Sequence, residues 1–293
     1  MTIAQDGQPR SLGRTATAIQ DLSPGYFPFV MATSIISTGA FLLGLSWLSR
    51  VLLVIALAGL VVLTYGVPAS LLLARSHDSV LGNVNGTWLL WVVATVSLSV
   101  VASTLVPAWP SQSGLLAPAA VGLWSIGLVL YILLVSLILL HWLTVPMTPQ
   151  TLSPPYWILM GATAIIVLAG ARILGLPGAP AVVKATAGFV EGFSFALWAF
   201  GTWWIPLLVV LGIWRHIRHR WPLTYEPALW SVVFPLGMYS VATAAFGKAA
   251  HLAFMAPLSR FMLWVAVAAA FVVRILGQAE HHQPPEDSPP PAG

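Results

Sequence analysis

The chain has 293 residues, of which 58% are hydrophobic and 7% charged, with a formal net charge of +4 and no cysteine. An ordinary soluble domain carries roughly 25% charged residues, so this composition excludes one, and repeated apolar runs of about 20 residues indicate a helical integral membrane protein. The small positive charge lies mostly in connections, where it sets orientation and does not mark nucleic-acid binding, and the missing cysteine excludes disulfides, thiolate metal sites and cysteine nucleophiles.

Residues 1–23 are polar, hold Arg10 and Arg14, and are expected to form a cytoplasmic segment without a cleavable signal peptide. Eight apolar spans follow, over residues 24–277. The first is Gly25 to Leu45, entered through Ser23-Pro24-Gly25, and the second Val51 to Leu73, after a short turn with Ser49 and Arg50. The polar stretch ARSHDSVLGNVNG leads to the third, Thr87 to Val106, and AWPSQSGLLAP to the fourth, Ala119 to Leu143. The fifth is Pro155 to Leu174. A Gly/Pro-rich connection, GLPGAPAVVKATAG, precedes the sixth, Phe189 to Trp214, which leaves through the basic run RHIRHRW. Trp230 to Ala250 is the seventh, and a short eighth runs from Phe261 to Ile275. The proline-rich tail, residues 278–293, is expected to be disordered and cytoplasmic. The fold class is therefore all-α: a membrane bundle of eight helices paired as hairpins.

Lys and Arg in the connections set the orientation. With the N-terminus inside, Arg10, Arg14, Arg75, Arg215, Arg218, Arg220 and Arg274 are inner, and Arg50, Arg172, Lys184, Lys248 and Arg260 outer. The Arg215 to Arg220 cluster weighs most, so both termini are expected to be cytoplasmic.

Polar groups within or beside the spans are few. Glu191, near the outer start of the sixth span, is either an interfacial acid paired with Lys184 or Arg172, or a screening group at a vestibule. Lys248 and His251, late in the seventh, are either headgroup-level residues or a positive mouth for anions. Arg172 at the end of the fifth carries the same alternatives, and His141 is a headgroup or packing residue. No HExxH, paired-Asp or glycine-rich phosphate motif is present, so neither an enzyme nor a cofactor is expected; the tail pair His281-His282 is a weak metal signal.

Small residues recur in the first span (Ala32, Ser34, Ser37, Gly39, Ala40) and in the fifth (Gly161, Ala162, Ala164, Ala169, Gly170). They permit either close helix packing or a narrow lumen. The second and fourth spans are richer in Leu and Val, which points to odd helices inside and even helices outside. The seventh span combines Phe234-Pro235, Gly237 and the hydroxyls of Tyr239, Ser240 and Thr243. Pro235 removes a backbone donor and bends the helix, and Phe234 stands at the bend. It is either a packing residue or a plug.

The stretches PGYFPFVMATSIISTGAFLL, NGTWLLWVVATVS, PPYWILMGATAIIVLAGARI, EGFSFALWAFGTWWIPLL and above all VVFPLGMYSVAT resemble the tellurite-resistance/dicarboxylate transporter family, which includes malic-acid transporters and slow plant anion channels. The resemblance implies a pore within each protomer, lined by kinked odd helices and ringed by even ones, in a trimer embedded in the lipid of the inner or plasma membrane. It implies transport of a small anion (a C4-dicarboxylate, another carboxylate, or an oxyanion such as tellurite) by a channel or exporter with no prosthetic group. The family's occluding phenylalanine falls on Phe234, with Pro235 and Gly237 at the kink. Ser240, Thr243, Ser34 and Ser37 are then the pore-lining candidates, and Lys248, Arg172, His251 and Glu191 the charged-mouth candidates. The family has ten helices and this chain eight spans, the third and fourth of the family lacking a counterpart. The alternative reading is a non-conducting membrane protein with a structural or assembly role.

Overall fold

A computed structural model describes residues 22–73 and 84–281. Arg10, Arg14, Arg75, His282, the rest of the N-terminal segment before Leu22 and the tail beyond His281 lie outside the described residues. Eight helices are long and apolar enough to cross a membrane: α1 Phe27–Leu42, α2 Ser46–Leu73, α3 Leu90–Leu105, α4 Ser113–Thr144, α5 Ile158–Leu174, α6 Ala181–Ile213, α7 Trp230–Ala249 and α8 Met255–His281. No strand occurs among the described residues. The all-α membrane bundle expected from composition is the fold.

Several helices outrun their apolar cores. α6 begins at Ala181, eight residues before the expected Phe189, because Pro180 stands at its N-cap and leaves the helical residues behind it free to continue. α8 runs 27 residues where a short span from Phe261 to Ile275 was expected. Pro257 sits in its first turn, where a missing N–H costs nothing, and Gly277 packs under the Tyr225 ring, so the helix continues past its apolar run. Hydropathy marks where a helix is dry; capping and packing decide where it ends.

Each odd helix is entered through a short 3-10 turn: Pro24–Tyr26, Gly86–Leu89, Pro154–Trp157 and Pro227–Leu229. The underlying segments SPGYF, NGTWL, SPPYW and EPALW form a repeat, with a capping or acidic residue, then Pro or Gly, then a bulky apolar residue. These turns lie side by side at one end of the bundle, called here the inner end. Gly86 is the tightest point: a Cβ there would lie 2.2 Å from the Pro155 carbonyl oxygen. Gly86→Ala must push two backbones apart and is expected to lower stability by about 1–3 kcal/mol; thermal unfolding in detergent checks this.

Consecutive helices pair as hairpins: α1 with α2, α3 with α4, α5 with α6 and α7 with α8. The odd helices also pack on one another in the row α1, α3, α5, α7. Burial follows this plan. In α5 83% of the most apolar stretch is buried and in α3 72%, against 39% or less for every even helix. α1 and α7, at the ends of the row, are less buried, at 33% and 44%. They do not pack closely against each other, so four odd helices form an open row.

Small residues are spent mostly on helix packing. A Cβ on Gly127 of α4 would strike Val96 of α3, one on Gly201 of α6 would strike Thr163 of α5, and one on Gly170 of α5 would strike Ser194 of α6. Buried polar groups tie α4 to α5 and α6 as well. Trp124 Nε1 donates to the Ile166 carbonyl at 2.9 Å, Trp204 Nε1 to Tyr131 Oη at 3.1 Å, and Tyr131 Oη to the Leu159 carbonyl at 3.2 Å. With no water in the bilayer core, such donors need internal partners.

Candidate functional site

The geometry of α7 starts at Pro235. Its ring is buried against α5, where Gly161 has no side chain to obstruct it; a Cβ on Gly161 would lie 2.9 Å from the Pro235 Cβ and Cγ. Proline also leaves the Ser231 carbonyl without its helical donor. With Pro235 fixed on α5, the preceding residue is turned about 100° away. Phe234 therefore points off the packed face and is 37% exposed. It lines a cavity of about 240 Å³ at the inner end, together with Pro28 and Met31 of α1, Leu90 and Val93 of α3, and Ile158 of α5. All four odd helices meet there, and the walls are almost wholly apolar.

The same face of α7 continues outward. Gly237 has open space where a Cβ would stand. Val241 is exposed, and Lys248 follows seven residues later, so Phe234, Val241 and Lys248 lie along one stripe. Val241 and Lys248 line a second cavity of about 820 Å³ at the outer end, walled by Ser103 and Thr104 of α3, Arg172 of α5 and Ser259 of α8. The two cavities share no residue. On α7 they are separated by the segment between Pro235 and Ser240, about 7–8 Å of helix.

The outer cavity joins two of the expected mouth residues, Arg172 and Lys248. Both stand in the last turns of their helices, where a cation also meets the negative end of the helix dipole. The hydroxyls around them do little for an anion. Ser240 donates to the Ser259 carbonyl at 2.8 Å, Ser103 to the Ser99 carbonyl at 2.6 Å and Thr104 to the Val100 carbonyl at 2.8 Å. Their protons are committed to backbone, so the positive potential comes from Arg172 and Lys248.

Other expected site residues stand elsewhere. Thr243 is fully buried, donates to the Tyr239 carbonyl and accepts from Trp198 Nε1 at 3.0 Å, so it faces α6. Tyr239 Oη is 2.6 Å from Thr202 Oγ1, also on α6. These contacts fix the rotation of α7 from the side opposite Phe234. Ser37 donates to the Ser49 carbonyl at 2.8 Å and joins α1 to α2. Ser34 is buried, and its hydroxyl has no partner. Neither lines the two cavities. His251 is exposed in the turn after α7, at φ 56°, outside the outer cavity. Glu191 is exposed and lines a separate cavity with Phe195 and Phe246. No cluster of metal-ligating side chains occurs among the described residues.

Gly161 was expected only as one of several small residues that permit close packing or a narrow lumen, without its pairing to Pro235. Its role needs a partner 74 positions away, and the local sequence shows only one small residue among many. Ser103 and Thr104 were missed for a simpler reason: serine and threonine near the end of an apolar span look like headgroup residues.

A family model described as SLAC1, voltage-dependent anion channel, matches residues 24–276. An uncharacterized membrane protein of Mycobacterium tuberculosis, found in the Oshkosh and H37Rv strains, is 51% identical over 139 residues, 47% of this chain and 70% of its own length. An uncharacterized transporter of Methanocaldococcus jannaschii is 22% identical over 173 residues; the match takes in 58% of this chain and about half, 48%, of that protein. No solved structure matches the chain.

Proposed function

Because the chain belongs to the SLAC1, voltage-dependent anion channel, family, we propose that it carries a small anion across the membrane along the shared face of α1, α3, α5 and α7, with Phe234 as the gate. One observation carries this reading: two cavities open at opposite ends of the same row of helices, Phe234 walls the inner one, and the Phe234 stripe of α7 runs into the outer one. A carboxylate or oxyanion gathers in the outer cavity, held by Arg172 and Lys248. At the level of Phe234 it meets apolar walls, where it loses water and gains no partner, which is how a hydrophobic constriction blocks ions. Small dicarboxylates and oxyanions such as tellurite fit a vestibule with two cations and no opposing carboxylate in its lining. Anion flux into proteoliposomes, wild type against Phe234→Ala, tests the reading.

The open row favours a second reading. Since α1 and α7 do not close on each other, the face conducts only when lipid or a neighbouring copy completes it; a homotrimer is the assembly proposed, and a non-conducting structural role follows if nothing completes it. Cross-linking in native membranes separates a trimer from a monomer.

Placement in the cell membrane with both termini cytoplasmic is part of the same proposal. It draws support from Arg215, Arg218, Arg220 and Arg274, which stand at the inner end. In this cysteine-free chain, an impermeant thiol reagent applied to intact cells is expected to label Ser111→Cys and leave Ile217→Cys, which is 71% exposed, unlabelled. Labelling of Ile217→Cys from outside reverses the orientation.

A further inference from the structure

A third cavity, of about 290 Å³, lies at the inner end between α6, α8 and the turn that leads into α5. Its floor and sides are apolar: Leu208 and Leu211 of α6, Val272 and Leu276 of α8, and Leu229. Its rim holds Arg215 and His216, with Ser153 and Tyr156 as neutral polar neighbours and no carboxylate in the lining. The exposed faces of Val209, Val210 and Ile213 on α6, and of Val272 and Ile275 on α8, extend the apolar surface from this point into the bilayer region. Charge at the water level above an apolar cleft is the pattern that matches an amphiphile with a negative head.

The chain is bent to hold that rim. α6 ends in a single π-turn, Trp214–Arg218, a feature that is rare and concentrated at functional sites. Arg220 then adopts φ 51°, a left-handed conformation uncommon for a residue with a long side chain. Together these bring Trp221 back over the turn. Its N–H donates to the Arg215 carbonyl at 3.2 Å, its own carbonyl lies 3.0 Å from His216 Nδ1, and its ring lies 5.7 Å from the Arg215 guanidinium carbon. The Arg215 Nε is buried with no hydrogen-bond partner. A buried guanidinium nitrogen left open is costly. Glu226 acts on this guanidinium through charge alone; the Nε itself has no hydrogen-bond partner within the chain, and the edge of the apolar cleft leaves room for one from outside.

We propose that this cavity binds one anionic phospholipid, its phosphate on Arg215 beneath Trp221 and an acyl chain in the cleft between α6 and α8. Arg218 and Arg220, both exposed on the same turn, add positive potential toward an anionic leaflet. The site lies away from the Phe234 face and does not depend on whether that face conducts.

The test is lipid binding to the purified full chain in detergent, read by native mass spectrometry and by the shift of thermal unfolding. Phosphatidylglycerol, phosphatidylcholine and inorganic phosphate are added separately. Two variants are compared with wild type. Arg215→Gln removes the charge. Gly212→Leu fills the cleft with the charge intact; glycine there has open space around a Cβ, and leucine favours the helix. Phosphatidylglycerol is expected to bind wild type and raise its unfolding temperature more than phosphatidylcholine does, and binding to each variant should be weaker by about ten-fold or more. The proposal is overturned if either variant, folded by circular dichroism, keeps the wild-type shift, if phosphatidylcholine acts equally, or if phosphate alone reproduces the effect and so marks a free-anion site.

Discussion

Replacing Phe234 by alanine is expected to raise anion flux about ten-fold or more, with the fold retained. A ten-fold change needs only about 1.4 kcal/mol off the barrier, and an ion stripped of water against an apolar ring faces a cost of several kcal/mol. Truncation opens the inner cavity toward Gly237, where no side chain stands in the way. The expected stability loss is small for a phenylalanine, about 1–2 kcal/mol, because the ring is 37% exposed and already borders a void; a fully buried phenylalanine costs about 3–5 kcal/mol. Phe246→Ala is the matched control. That ring is fully buried on a different face of α7, outside both cavities of the Phe234 stripe, so its loss should cost more than that of Phe234 and leave flux no higher. A gain of flux in Phe234→Ala alone separates a gate from a core residue.

Reversing the two charges of the outer cavity should reduce anion flux strongly. Changing a lysine to glutamate alters the local charge by two, and at roughly 8 Å in a solvated vestibule this is worth about 1–2 kcal/mol, or about five- to thirty-fold. Lys248→Glu and Arg172→Glu are each expected to act this way in the Phe234→Ala background, where flux is measurable, and the double reversal more so. The effect should shrink as salt is raised, because the cavity is open to solvent. Ser240→Ala should change little by comparison, since its proton is already given to the Ser259 carbonyl. The reversals also place a negative charge at a helix C-terminus, which costs roughly 0.3–1 kcal/mol each; thermal unfolding measured alongside keeps the two effects apart. If His251→Glu lowers flux as much as Lys248→Glu, the positive mouth is a diffuse surface field and the cavity is not its source.

Run length and polarity were enough to read eight helices from the sequence, and the alternation of small-residue and Leu/Val-rich spans to expect hairpins with the odd helices inside; α3 and α5 meet that expectation, whereas α1, 33% buried, is no more buried than α4 at 39%. Helix ends were less legible, as α6 and α8 show, because a proline at the cap or a ring packed on glycine decides them and hydropathy does not. At the site, the 3.6-residue period sufficed to group Phe234 with Gly237 and Val241. The same period sets Thr243 about 180° from Phe234, so its hydroxyl could not share that face, and the structure spends it on Trp198. Ser37 was illegible for another reason. A serine on an inner helix can turn to a lumen or to the next helix, and only the position of Ser49 across the hairpin decides. Arg172 and Lys248 meet in one cavity although 76 positions separate them, because α5 and α7 run side by side and both end at the outer face. The open edge between α1 and α7 follows from having four odd helices, a count the sequence contained, whereas the side on which the row opens is a matter of packing.

An anion pathway blocked at Phe234 is open to a direct measurement, the reversal potential of Phe234→Ala in planar bilayers. Under a gradient of potassium malate or potassium chloride, the current is expected to be negligible in wild type and large in the variant, and to reverse close to the equilibrium potential of the anion. A current reversing at the potassium potential, or no current from a variant that unfolds at nearly the wild-type temperature, would contradict it.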